Sequence, residues 1–236
     1  MKWKTVLLLF LTGFLLSDAS ISGAAETPAS GDVPQRETSA RLNALLNGLE
    51  ERYLKSAFSA RFFQETPLKE LDITDTASGK VYVKPPGMMR WDYETPEKKL
   101  IVTDGKTLWI YRPEENQVMV GKAAAFFGEG KGAVFLSDIR ALRQRFRIEL
   151  VAEPEGAENT VHLRLFPREE MMDVSEIDLW VSRPGFEVRR IVTRSRYGDE
   201  TRISLSDFRF DLKLADDFFR FAVPDGADVV RIGPEP

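Results

Sequence analysis

The feature that most restricts the fold is a change of hydrophobic period near residue 57. Before it, Leu42, Leu45, Leu46, Leu49 and Tyr53 recur at spacings of three and four, the stripe of an amphipathic helix. Thr38 or Ser39 can cap its start, and the pattern predicts a helix to about Ser56. After it the period is two: Phe58, Ala60, Phe62 and Gln64 alternate with Ser59, Arg61, Phe63 and Glu65, which places the two sets on opposite faces of a strand. Strand patterns recur at Val81–Val83, Met89–Tyr93, Leu100–Thr103, Thr107–Tyr111, Asn116–Val120, Phe146–Val151, Thr160–Phe166, Ser175–Val181, Glu187–Arg194 and Thr201–Phe208. Asp104-Gly105, Pro113-Glu114-Glu115, Pro184-Gly185 and Gly198-Asp199 supply the reversals. Short strands spaced by such turns predict an antiparallel meander of about ten or eleven strands.

One break interrupts the meander. Lys122–Phe127 and Ala133–Arg143 lack alternation and read as helical, separated by Gly128, Gly130 and Gly132. Glycines there would let two short helices move against the sheet. A meander this long tends to curl, so its concave face must be filled or occupied. Phe62, Met89, Trp91, Trp109, Tyr111, Met119 and Trp180 fall at inward-alternating positions. They either pack a core or line an apolar ligand pocket with the helices as a lid, and periodicity leaves both readings open.

Composition removes much of the competing chemistry. The 236 residues contain no cysteine and one histidine, with a formal charge of −4. Disulfides, thiol nucleophiles and cysteine metal sites are excluded, and a histidine-based triad or multi-histidine metal centre has almost nothing to build on. No basic excess favours nucleic acid. The acidic pairs Asp216-Asp217 and Glu169-Glu170 read as solvated turns, and His162, on the side of Arg164, as an exposed strand residue. Arg140, Arg143, Arg145 and Arg147 form a basic run that reads as a solvated face or a membrane or transporter contact. No enzyme, metal or cofactor is expected.

Lys2 and Lys4, the apolar run Val6–Leu16 and the small residues Ser22-Gly23-Ala24-Ala25 have the order of a secretory signal peptide over residues 1–25. Cleavage after Ala24 or Ala25 removes two lysines and one aspartate, leaving a charge of −5. Residues 26–39, polar with two prolines, are expected to be a flexible lead-in to a domain over 40–234.

The stretch Val81-Tyr82-Val83-Lys84-Pro85-Pro86-Gly87-Met88-Met89-Arg90-Trp91-Asp92-Tyr93 resembles the signature region of the LolA family of periplasmic outer-membrane lipoprotein carriers. Thr95-Pro96-Glu97 with Leu100–Tyr111 is similar to the family's next two strands. Phe58–Gln64 resembles its first strand, and Phe219–Gly226 its closing segment. The resemblance implies a mainly β (α+β) fold: an antiparallel open half-barrel covered by an N-terminal helix and short lid helices. It also implies a soluble, monomeric periplasmic chaperone that binds lipoprotein acyl chains. Its partners would be acylated lipoproteins, an inner-membrane lipoprotein-releasing ABC transporter and an outer-membrane acceptor of the LolB type. LolB is itself a lipoprotein, so a chain without cysteine fits the soluble carrier. By position, Phe62, Tyr82, Met89, Trp91, Trp109, Tyr111 and Met119 would lie in or near the lining, with Phe135, Leu136 and Ile139 facing it from a lid hinged at Gly128, Gly130 and Gly132. Familiar members read Lys-Arg-Pro where this chain reads Lys84-Pro85-Pro86, and that arginine latches the lid. Proline offers no donor, so Arg90 is the candidate substitute, or else a solvated strand charge. The alternatives are a LolA-like carrier of another lipid and an RseB-like periplasmic lipid sensor.

Overall fold

The computed structural model describes residues 32–124, 134–152, 159–171 and 174–233. The expected signal peptide and Gly128, Gly130 and Gly132 lie outside the described residues. Helix α1 (Asp32–Leu54) comes first. It begins before Thr38 and Ser39, so both lie inside it, and residues 32–39 of the expected lead-in are helical.

The strands are β1 (Ala57–Leu68), β2 (Ile73–Lys84), β3 (Met88–Thr95), β4 (Lys99–Asp104), β5 (Thr107–Arg112), β6 (Gln117–Lys122), β7 (Phe146–Val151), β8 (Thr160–Pro167), β9 (Glu176–Ser182), β10 (Val188–Arg194), β11 (Glu200–Leu212) and β12 (Asp228–Ile232). Among the described residues they form one twelve-stranded sheet in the order β12-β6-β5-β4-β3-β2-β1-β11-β10-β9-β8-β7. Two meanders, β1 to β6 and β7 to β11, are joined where β1 pairs with β11 as well as β2. The sheet does not close: β7 and β12 are its edges. This is the mainly β, open architecture that the sequence predicts, with one strand more than expected. The additional strand is β12, five residues running parallel to β6.

Between the meanders, the helical stretch expected at residues 133–143 resolves into a 3-10 turn at Val134–Ser137 and a short helix α2 (Ala141–Arg145). Of the stretch Lys122–Phe127 expected to be helical, Lys122 ends β6, Ala123 and Ala124 are helical, and residues 125–127 lie outside the described residues. No helix among the described residues is long and apolar enough to cross a membrane.

The core lies between α1 and one face of the sheet. Of the predicted stripe, Leu45, Leu46, Leu49 and Tyr53 are buried together with Phe58, Ala60 and Phe62 of β1, and Leu42 is partly buried against them. Tyr53 meets Phe58 and Phe210 edge-on, at 5.1 and 5.8 Å between centroids, and its hydroxyl accepts a hydrogen bond from the Val188 N–H at 2.8 Å. Burial raises the Tyr53 pKa. Leu205 and Ile203 share this face, yet so do Phe208 and Phe210, which have the opposite parity. Irregular register between β1 and β11, with Asp207 at φ +52°, changes the parity. Arg143 of α2 donates to Glu50 Oε1, Asn47 Oδ1 and Asn43 Oδ1 of α1 at 2.6, 2.6 and 3.0 Å. This member of the basic run therefore ties α2 to α1.

Candidate functional site: the two faces of the sheet

Directly paired residues on neighbouring strands share a face. Following the register across β1, β2, β3, β4, β5, β6 and β12 gives one row: Ala60, Val81, Trp91, Ile101, Ile110, Met119 and Val230. It lies on the α1 side, which is the concave side of the expected half-barrel. Phe62 and Met89 are on the same face. Leu136 and Ile139, predicted to face the lining from a lid, are buried in the same apolar cluster as Phe62, Met89 and Trp91. The side chain of Phe135 lies outside the described residues.

The cluster that α1 joins reaches across β3, with Ile101 of β4 packed against it. Farther along the row Ile110 is still buried, and the cover thins only beyond it: Met119 is half-buried and Val230 is 37% exposed. At β3 the aromatic residues crowd together, with Phe62 4.8 Å from Tyr93 and 4.9 Å from Trp91. Gly79 makes this approach feasible. A Cβ there would lie 2.0 Å from the Asp92 carbonyl oxygen and 3.0 Å from the Phe62 ring.

The neighbouring row faces the other way: Ser59, Tyr82, Arg90, Val102, Trp109 and Val120. Tyr111, two positions from Trp109, is on that outer face too. Three residues carried over as lining, Tyr82, Trp109 and Tyr111, are thus separated by the sheet from Phe62, Met89, Trp91 and Met119. The segment between β11 and β12 crosses this outer face. Phe218 meets Tyr82 at 5.0 Å, Phe221 meets Tyr111 at 5.2 Å, and Phe219 is fully buried. Arg90, the candidate latch, donates to the Phe218 carbonyl at 3.4 Å and sits 4.8 Å from the Phe218 ring. Lys84 donates to the Leu214 carbonyl at 2.7 Å and to Asp216 at 2.5 Å. Both cations hold the C-terminal segment, and Asp216 of the acidic pair is one of the anchors.

Trp180 also lies on the outer face, stacked on His162 at 4.3 Å. His162 is part-buried and not exposed, because Trp180 covers it and its Nε2 lies 2.6 Å from Asp178 Oδ1. Asp178, itself buried, also accepts from Arg164 at 2.9 Å and from Arg194. Burial alone would raise the Asp178 pKa, but the bonds from Arg194, Arg164 and His162 outweigh it and hold the carboxyl below its ordinary value. Apolar residues stand on both sides of β5 and β9, so alternation alone gives no sign of which side faces inward. The Asp104-Gly105 hairpin register, which pairs Trp109 with Val102, is the signal that separates them.

At the end of the concave face where β1, β3 and β5 finish, the floor turns polar. Two residues beyond Trp91 and Ile101 stand Tyr93 and Lys99, and Arg112 is two beyond Ile110. They line a cleft of about 600 Å³ with Gln64, Thr66 and Asp75 among its other walls. The Tyr93 hydroxyl donates to Gln64 Oε1 at 3.0 Å, and burial pushes its pKa up to about 12.

The family described as outer membrane lipoprotein carrier protein LolA matches residues 55–222. A protein from Chromobacterium violaceum named outer-membrane lipoprotein carrier protein is 30% identical over 219 residues, covering 92% of this chain and 96% of that one. One of the same name from Nitrosomonas europaea is 29% identical over 174 residues, 74% of this chain and 82% of its own. Among solved structures, an uncharacterized conserved protein from Thermus thermophilus shares the fold, with a TM-score of 0.54 and 16% identity over 81% of this chain and 99% of that chain. With the match spanning every strand from β1 to β11, the chain belongs to the LolA family.

Proposed function

We propose that this protein is a soluble periplasmic chaperone that receives the acyl chains of lipoproteins on the concave face of its sheet. It carries them from an inner-membrane ABC transporter to an outer-membrane acceptor of the LolB type. The observation that carries the reading is the apolar row that continues past the α1-covered cluster through Ile110, Met119 and Val230, in a chain of this family. Each methylene moved out of water is worth about 0.8 kcal/mol, so an acyl chain of about 16 carbons costs roughly 12 kcal/mol to expose. Cargo of that kind crosses an aqueous compartment only against an apolar surface, and no bond need be made or broken.

The test is mass spectrometry of the purified protein for retained acylated protein, repeated on Met119→Glu and Trp109→Glu. Both positions are half-buried, on opposite faces. Retention should be lost with Met119→Glu and kept with Trp109→Glu. Loss in both, or in neither, would remove the concave face as the binding surface. Retained lipid without protein would point to a carrier of another lipid, and an unacylated protein partner to a sensor.

A further inference from the structure

The floor of the concave face changes character in one step. The pairs Trp91–Ile101 and Ile101–Ile110 are apolar, whereas the next positions along the same strands are Tyr93, Lys99 and Arg112. Two residues of strand advance about 7 Å, so a group bound at the second row is one short step from the apolar rows, in which Trp91 and Ile110 are buried and Ile101 and Met119 are half-buried. Cations from adjacent strands on one face repel each other. Arg112 is held by Glu115 at 3.2 Å, but Lys99 has no ion pair among the described residues. Its ammonium lies 4.0 Å from the centroid of the Tyr93 ring, half-buried at the floor of the cleft. Burial, then the adjacent Arg112, lower its pKa, and Glu97 opposes this. The acidic residues that line the cleft, Asp75, Glu97, Glu114 and Glu115, are all exposed, as are the cations Lys98 and Arg112, so solvent screens them more than it screens the half-buried Lys99.

We propose that this cleft is a headgroup site: beside Lys99 and Arg112 it takes one anionic group, a phosphate ester or a carboxylate, of an amphiphile whose acyl chain lies on the apolar rows. The inference rests on the carrier reading above and names the class of molecule that the concave face accepts. Gln64 and Thr66, linked to each other and to Tyr93 by hydrogen bonds, are neutral polar groups around the anion, whose charge offsets the repulsion between Lys99 and Arg112 and gives Lys99 a charge-assisted bond.

Calorimetry with dodecyl phosphate, dodecyl maltoside and inorganic phosphate, each below any micelle concentration and at low salt, separates the parts of this claim. Dodecyl phosphate should bind roughly ten- to a hundredfold tighter than the maltoside, the range of a hydrogen bond to a charged group. Lys99→Gln should abolish that advantage, Arg112→Gln should reduce it, and salt should weaken it. Lys99 is half-exposed, so both variants should fold, which circular dichroism checks. Equal binding of the two amphiphiles, unaltered by Lys99→Gln, overturns the headgroup site and leaves the carrier reading standing. Inorganic phosphate binding as tightly as dodecyl phosphate overturns the amphiphile assignment in favour of a free-anion site. Failure of both amphiphiles to bind overturns the carrier reading and this inference with it.

Discussion

Tyr53→Phe tests how α1 is seated on the concave face. The substitution keeps the ring, and so the edge-on contacts with Phe58 and Phe210, and removes one oxygen. That oxygen accepts the hydrogen bond from the Val188 N–H, and both residues are fully buried. A buried donor left without a partner costs about 1–3 kcal/mol. For a chain of this size each kcal/mol lowers the melting temperature by about 2–4 °C, so a fall of roughly 2–12 °C is expected near pH 8. Alkaline pH supplies a second readout. The Tyr53 pKa is raised in the folded protein, so the unfolded chain ionises first, at about pH 10. The stabilising contribution is complete below that pH and is lost as pH rises toward the folded value. Phenylalanine carries no such term. Tyr93 titrates alike in both proteins, so the gap between them should shrink by about 1.4 kcal/mol at pH 11. Thermal melts of both proteins at pH 8 and pH 11 measure this. A melting temperature unchanged by the substitution, or a gap that is the same at both pH values, would refute the assignment of the Tyr53 hydroxyl as a buried anchor.

Two further perturbations follow from the packing. Asp178→Asn should cost about 1.5–3 kcal/mol at neutral pH. The Asp178 pKa is lowered on folding, so its contribution is present above the unfolded value of about 3.9 and is lost as pH falls through the lower folded value. The gap between wild type and variant should therefore be narrower in urea titrations at pH 3 than at pH 7, and a gap as wide there as at pH 7 would contradict this. Gly79→Ala places a methyl group 2.0 Å from the Asp92 carbonyl oxygen, forcing a backbone shift that costs about 1–3 kcal/mol. It should lower the melting temperature and alter the near-ultraviolet dichroism of Trp91 and Tyr93; an unchanged spectrum would argue against the crowding.

Much of the fold is legible in the residues. Leu45, Leu46, Leu49 and Tyr53 of the predicted stripe are buried, with Leu42 partly so, because a helix with one apolar face has one favourable way to lie on a sheet. The hairpins are equally readable, since turn chemistry and alternation are local. β12 was not legible: all but one of its residues are exposed, so no contrast between faces marks it, and its parallel partner lies 111 positions earlier, as in the pair Gln117 and Asp228. The reversed parity of Phe208 and Phe210 is hidden for a different reason, because an extra residue in one strand is visible only against its partner.

The candidate site divides along the same line. The sequence by itself determined that aromatic and apolar residues alternate through a long meander, since side-chain period is a property of a single strand. Only the tertiary structure decided which alternate set faces α1. Trp91 and Met119 lie on that side, while Trp109, Tyr111 and Trp180 lie on the other. Inward and outward acquire meaning only when register joins the strands and separate segments cover the two faces: α1 on one side and residues 213–227 on the other.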